Sequence, residues 1–132
     1  MELQGRVREK MAPALRTPLS GTFGIDWPIF SVGFGDAAGP ELAAAVSNAG
    51  GFGVLGASGM RPAHVQAVVE RTRTLTERPF GINVIIADDP NSDIEEDRAF
   101  FRSQIEAAAA GGANAVVLFW GDPAPLVASS HE

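Results

Sequence analysis

Four short apolar runs, Pro28–Val32, Phe52–Leu55, Phe80–Ala87 and Ala115–Phe119, recur along the chain, and a helical pattern follows each of the first three. Their starts, near 28, 52, 80 and 114, are separated by 24, 28 and 34 residues, which is the spacing of a strand, a crossover helix and the next strand. Strictly alternating strands and helices imply a parallel sheet with its helices on the faces, because a parallel pair needs a long crossover. The two solutions are a (βα)8 barrel and an open doubly wound sheet. A complete barrel takes about 250 residues, so the four units carried by 132 residues amount to half of one.

The helical patterns are specific. One helix opens at Pro40, carries Leu42, Ala45, Val46 and Ala49 on one stripe, and stops at Gly50. A second opens near Pro62 and places Val65, Val68, Val69, Thr72 and Leu75 on its apolar face. A third starts at a capping box, Ser92 with Glu95, and buries Ile94, Phe101, Ile105 and Ala108 before Gly111-Gly112. A last helical segment opens at Pro123 or Pro125. Residues 1–20 mix Pro13, Pro18 and a basic charge balance without a sustained apolar face and read as an extension; residues 21–132 carry the repeating units.

Composition narrows the class of function. The net charge of −6 comes largely from six acids within ten residues, Asp88, Asp89, Asp93, Glu95, Glu96 and Asp97. That pattern argues against nucleic acid or an anionic membrane as partner. No apolar run approaches the ~18 residues that suggest a membrane span. No cysteine is present, so disulfides, thiolate catalysis and Cys-ligated metal are excluded, and a reducing, cytoplasmic setting is expected.

Eight of the 15 glycines fall between residues 33 and 59. Gly51-Phe-Gly53-Val-Leu-Gly56 matches a dinucleotide fingerprint in letters, but it starts at a helix end and runs through the strand, whereas the fingerprint belongs between strand and helix. Gly33-Phe-Gly35-Asp-Ala-Ala-Gly39 does lie between a strand and a helix. It is either a loop over which something flat or anionic approaches the backbone, or a tight turn.

Asn83 is the one polar residue in Gly81–Ile86, and a buried amide without partners costs about 1–3 kcal/mol. Either a neighbouring backbone group or water satisfies it, or a ligand does; its place toward the C-terminal end of a parallel strand favours the ligand. Phe119-Trp120-Gly-Asp122-Pro123 closes the fourth strand. There Trp120 lines a pocket or packs, and Asp122 serves as an acid or base or as a helix N-cap. His64, on a surface helix, and His131, next to the chain end, are not convincing general bases. No metal-ligand cluster is seen, no Ser/His/Asp arrangement appears, and the only lysine is Lys10.

Pro28-Ile29, the segment Gly39-Pro-Glu-Leu-Ala-Ala-Ala-Val-Ser-Asn-Ala-Gly-Gly-Phe-Gly-Val-Leu-Gly56, and Arg78-Pro-Phe-Gly-Ile-Asn-Val84 together resemble the N-terminal half of the nitronate monooxygenase (2-nitropropane dioxygenase) family. The resemblance covers roughly residues 15–125. It implies an FMN-dependent TIM barrel, of which about the first four βα units are present, that oxidises alkyl nitronates with O₂. The chain is similar also to flavin-dependent enoyl-acyl-carrier-protein reductases and, more distantly, to inosine-monophosphate dehydrogenases.

The family's flavin-contacting Asn falls on Asn83. Its loop after the first strand, often Ala-Pro-Met, falls on Val32, Gly33 and Phe34, so that Gly33, Phe34 and Gly35 are the expected cofactor contacts, through backbone rather than Pro-Met. Phe34 and Trp120 are expected on the substrate side. The family's catalytic His, in an Ala-Gly-Gly-His stretch, and its Gly-rich phosphate site belong to later strands, so no catalytic residue is expected among these 132. Expected partners are a nitronate and O₂, with a homo-oligomer left open. The alternatives are an enoyl-thioester reductase using the same flavin and, in a different class, an inactive or self-associating half-barrel.

Overall fold

The computed structural model describes residues 15–87, 91 and 93–127. In chain order the elements are α1 (Pro18–Phe23), a 3₁₀ turn (Gly35–Ala37), α2 (Pro40–Asn48), β1 (Gly53–Gly56), α3 (Pro62–Leu75), β2 (Phe80–Ile85), α4 (Ile94–Gly111), β3 (Ala115–Phe119) and α5 (Ala124–Val127). The strands form a parallel sheet in the order β1-β2-β3, as the alternation requires. The register pairs Gly53 with Phe80, Gly56 with Asn83, Gly81 with Ala115 and Asn83 with Val117.

The first expected strand, Pro28–Val32, is reduced to one parallel bridge, Phe30 with Phe52. Two rungs form, from the Phe52 amide to the Ile29 carbonyl (2.8 Å) and from the Ser31 amide to the Phe52 carbonyl (3.0 Å). The next rung is taken over by a side chain: the Val54 amide donates to Ser31 Oγ at 2.8 Å. A hydroxyl that replaces the backbone acceptor satisfies the amide and ends the ladder.

The two faces of the sheet differ. Phe80, Ile82, Val84 and Ile86 alternate onto the face covered by helices, where they join Leu55, Val65, Val69, Ala108 and Leu126 in the main core. Phe52 and Val54 point the other way into a smaller cluster with Ile25, flanked by Phe23 and Ala115. There the Phe23, Phe30 and Phe52 rings meet edge-on or tilted, with centroids 4.9–5.3 Å apart.

Two helix faces depart from expectation. On α2 the buried residues are Ala43, Ala44 and Ser47, while Leu42 is 39% exposed and Ala45 and Ala49 are exposed. The helix lies so close to β1 that a Cβ on Gly53 would overlap the Ala43 carbonyl, and only small side chains fit at such an approach. Ser47 then serves as a polar rivet, donating to the Pro79 carbonyl (2.9 Å) and accepting from the Gly53 amide (3.1 Å). On α4, Gln104, Ala108 and Gly111 are buried and Ile94 is 46% exposed. Ser92 of the expected capping box lies outside the described residues, as do Asp88, Asp89 and His131. The helix is capped by Asp93, whose Oδ1 accepts from the Glu95 and Glu96 amides.

The N-terminal edge of the sheet is cross-tied by Arg73. Its guanidinium donates to the Arg78 carbonyl (3.1 Å), the Gly112 carbonyl (2.6 Å) and Asn114 Oδ1 (2.9 Å), and it sits 4.4 Å from the Phe80 ring centroid. Gly53→Ala should lower unfolding stability by about 3 kcal/mol with an unchanged denaturant slope, because the overlapping atom is backbone and cannot swing away. Gly59→Ala, at φ +71° with open space around it, should cost only about 1 kcal/mol. Urea titration of both variants checks the contrast.

Candidate functional site

In a parallel sheet all strands end on one edge, and the chain that leaves them forms that edge's loops. Asn83 stands near this edge on the central strand, flanked by Gly56 and Val117, and is 8% exposed. Its Nδ2 reaches the Gly33 carbonyl at 3.5 Å, the limit of a hydrogen bond. The amide is thus nearly enclosed but weakly paired.

The loop after the Phe30 segment lies directly on β1 because three glycines meet there. A Cβ on Gly33 would stand 2.5 Å from the Leu55 carbonyl oxygen and 2.6 Å from Asn83 Cβ; one on Gly56 would stand 2.6 Å from the Gly35 carbonyl oxygen. Gly35 itself has φ +54° and nothing within 4 Å of its Cβ position, so its outer side is open to a ligand. The structure therefore brings Asn83, Gly33 and Gly35 together. Phe34, between the two glycines, is 53% exposed.

Trp120 follows β3 at the same edge with φ +60°, the one positive φ of a non-glycine residue among the described residues. Such a conformation costs about 1–3 kcal/mol and persists only where the surroundings impose it. Here the Ile86 amide holds the Phe119 carbonyl at 2.8 Å, and Gly121 packs against the Ile86 carbonyl with no room for a Cβ. Trp120 is 69% exposed, and its indole stacks on Phe119, centroids 5.3 Å apart and planes at 24°. Asp122 Oδ1 accepts from the Ala124 amide, the first of α5, at 3.0 Å.

His64 is exposed on α3 and, with Asp36, Met60 and Gly56, lines a groove of about 170 Å³ beside the glycine loop. Among the described residues no group of three or more His, Cys, Asp or Glu is arranged around a metal position, and no helix is long and apolar enough to cross a membrane. Sequence reasoning missed Gln104, which supports the turn after β1. The available signal was its i, i+4, i+7 spacing with Ala108 and Gly111.

The sequence profile of the family described as nitronate monooxygenase matches residues 16–119. A (3aS,4S,5R,7aS)-5-hydroxy-7a-methyl-1-oxo-octahydro-1H-indene-4-carboxyl-CoA dehydrogenase of Rhodococcus jostii is 40% identical over 70 residues, 53% of this chain and 20% of that protein. A nitronate monooxygenase of Paraburkholderia phytofirmans is 48% identical over 61 residues, 46% of this chain and 17% of that protein. Among solved structures, FabK from Thermotoga maritima superposes with a TM-score of 0.72 at 28% identity, covering 88% of this chain and 34% of that one. A nitroalkane oxidase from Streptomyces ansochromogenes superposes with a TM-score of 0.63 at 24% identity, covering 85% and 39%, and supports the fold alone. The matches span about a fifth of the length of these curated relatives.

Asn83→Leu tests whether the amide serves the fold or a ligand. With one long bond to lose, the apolar variant should fold with stability within about 1 kcal/mol of the parent, or above it. A loss beyond about 2 kcal/mol in urea titration would instead make Asn83 a structural residue.

Proposed function

The chain belongs to the nitronate monooxygenase family, and on that footing we propose that it forms the cofactor-facing part of an FMN-dependent oxidoreductase that oxidises alkyl nitronates with O₂. In this reading residues 21–132 are the first four βα units of a (βα)8 TIM barrel, with the Phe30 segment as its first strand, and residues 1–20 are an extension. The observation that carries the reading is the Asn83 amide, enclosed at the ligand end of an apolar strand and held by one 3.5 Å bond.

The residues present suit a flat, polar-edged ring system. Asn83 would offer its carboxamide to the edge of the isoalloxazine; Gly33, with no Cβ, seats the loop against Leu55 and Asn83, and Gly35, with open space on its Cβ side, would let the ring lie against the main chain. Bound FMN supplies the redox chemistry, accepting electrons from the nitronate and returning them to O₂. This chain's residues bind and orient it: Phe34 and the locked Trp120 would line the apolar substrate side and exclude water. The proton-transfer residue is expected beyond these 132 residues, in the family's Ala-Gly-Gly-His stretch.

A second reading, flavin-dependent oxidoreduction at an acyl thioester, is favoured by the 40% identity to a carboxyl-CoA dehydrogenase. Titrating the purified chain with FMN should give saturable quenching of flavin fluorescence, weakened about tenfold, some 1.4 kcal/mol, by Asn83→Leu. Absence of saturable binding in a longer chain that includes the expected phosphate site would sink the flavin reading. In a longer chain that includes the downstream histidine, nitronate-dependent O₂ uptake is the expected activity. Nicotinamide-dependent reduction of an enoyl thioester without such uptake would assign the second reading.

A further inference from the structure

The turn of residues 57–60 after β1 joins Asn83 to the neighbouring groove. At one end the Ala57 amide donates to the Asn83 carbonyl at 3.0 Å; at the other, Met60 lines the groove with Gly35, Asp36, Gly56 and His64. Within the turn the Met60 amide donates to the Ala57 carbonyl at 3.0 Å. Ala57 is buried in the main core and Met60 packs against it, but Ser58 and Gly59 at the tip are exposed, so side-chain packing anchors only the two ends of the turn.

The carbonyls of those two ends are held from another element. Gln104, in the middle of α4 and 1% exposed, donates from Nε2 to both the Met60 carbonyl (2.6 Å) and the Ala57 carbonyl (3.3 Å). Both amide protons are used, and both acceptors belong to this turn. A primary amide buried beside Phe101, Ile105 and Ala108 loses its hydration, and an apolar residue would fill the same core position without that loss. The polar residue stands there because of what it holds.

We propose that Gln104 is a positioning residue for the ligand site. By clamping both carbonyls of the 57–60 turn it keeps the Ala57 amide on the Asn83 carbonyl and fixes the Met60 wall of the groove. Loss of the carboxamide loosens the ligand end of β1 while the sheet stays packed. The clamp stands on this chain's geometry alone; its consequence for FMN rests on the flavin reading above.

The test is amide hydrogen exchange on the 132-residue chain and on Gln104→Met, which keeps volume and removes the donor, followed by FMN titration read by flavin fluorescence. Ala57 and Met60 should exchange about tenfold faster in the variant, while Ile82, Val84, Val116 and Leu118 stay within about twofold. The FMN dissociation constant should rise about tenfold at unchanged maximal quenching. Should Gln104→Met not fold, Gln104→Asn, one methylene shorter with the amide kept, takes its place with the same outcomes. Unchanged exchange in the turn, equal acceleration across the sheet, or a loosened turn with undiminished FMN affinity would each overturn the proposal. If a chain extended through the expected phosphate site fails to bind FMN, the flavin reading is lost and the positioning role goes with it, while the exchange data still decide whether Gln104 clamps the turn.

Discussion

The pairing of β2 on both of its edges organises the structure. With parallel neighbours on each side, Gly56, Asn83 and Val117 fall in one row and all three strands end on the same edge. Side chains alternate strictly along a strand, so the core contacts of Phe80, Ile82 and Val84 oblige Gly81 and Asn83 to face the opposite side. The position of the amide therefore follows from burying the other half of the strand.

Around that row the two edges are built differently. At the N-terminal edge Arg73 spans three elements, its guanidinium bonded to carbonyls and to an amide side chain while it stacks on Phe80. At the C-terminal edge glycine packs on carbonyl, the Gln104 carboxamide clamps the turn after β1, Trp120 is held at positive φ, and the Asn83 side chain makes one long bond. The Arg73 guanidinium is engaged at one edge, whereas the Asn83 carboxamide is left weakly paired at the edge where parallel α/β scaffolds bind their ligands.

Much of this was legible beforehand, for reasons that differ by residue. The strands around Val54, Ile82 and Val116 and the α3 face of Val65, Val69 and Thr72 follow local periodicity, which survives whatever the chain packs against. The α2 face did not, because the helix turns its alanines and Ser47 toward β1 instead of Leu42, and that choice depends on Gly53 letting the backbones approach. The pattern of the first strand extends beyond its single bridge, since nothing local announces that Ser31 Oγ displaces its own carbonyl as acceptor. Gln104 is not legible locally because a lone amide on an amphipathic helix reads as surface until its acceptors, more than forty residues earlier, come into view.

The sequence by itself determined the alternation of strand and helix, the parallel sense of the sheet and the choice of Asn83 as the residue at odds with its surroundings, since these depend on spacing and on the cost of burying one polar group. Tertiary structure decided how near the helices come, which of their faces is buried, that Trp120 is locked at positive φ, and that the turn after β1 hangs on α4. Those outcomes arise from contacts between segments far apart in the chain, where glycine and a well-placed donor matter more than local propensity.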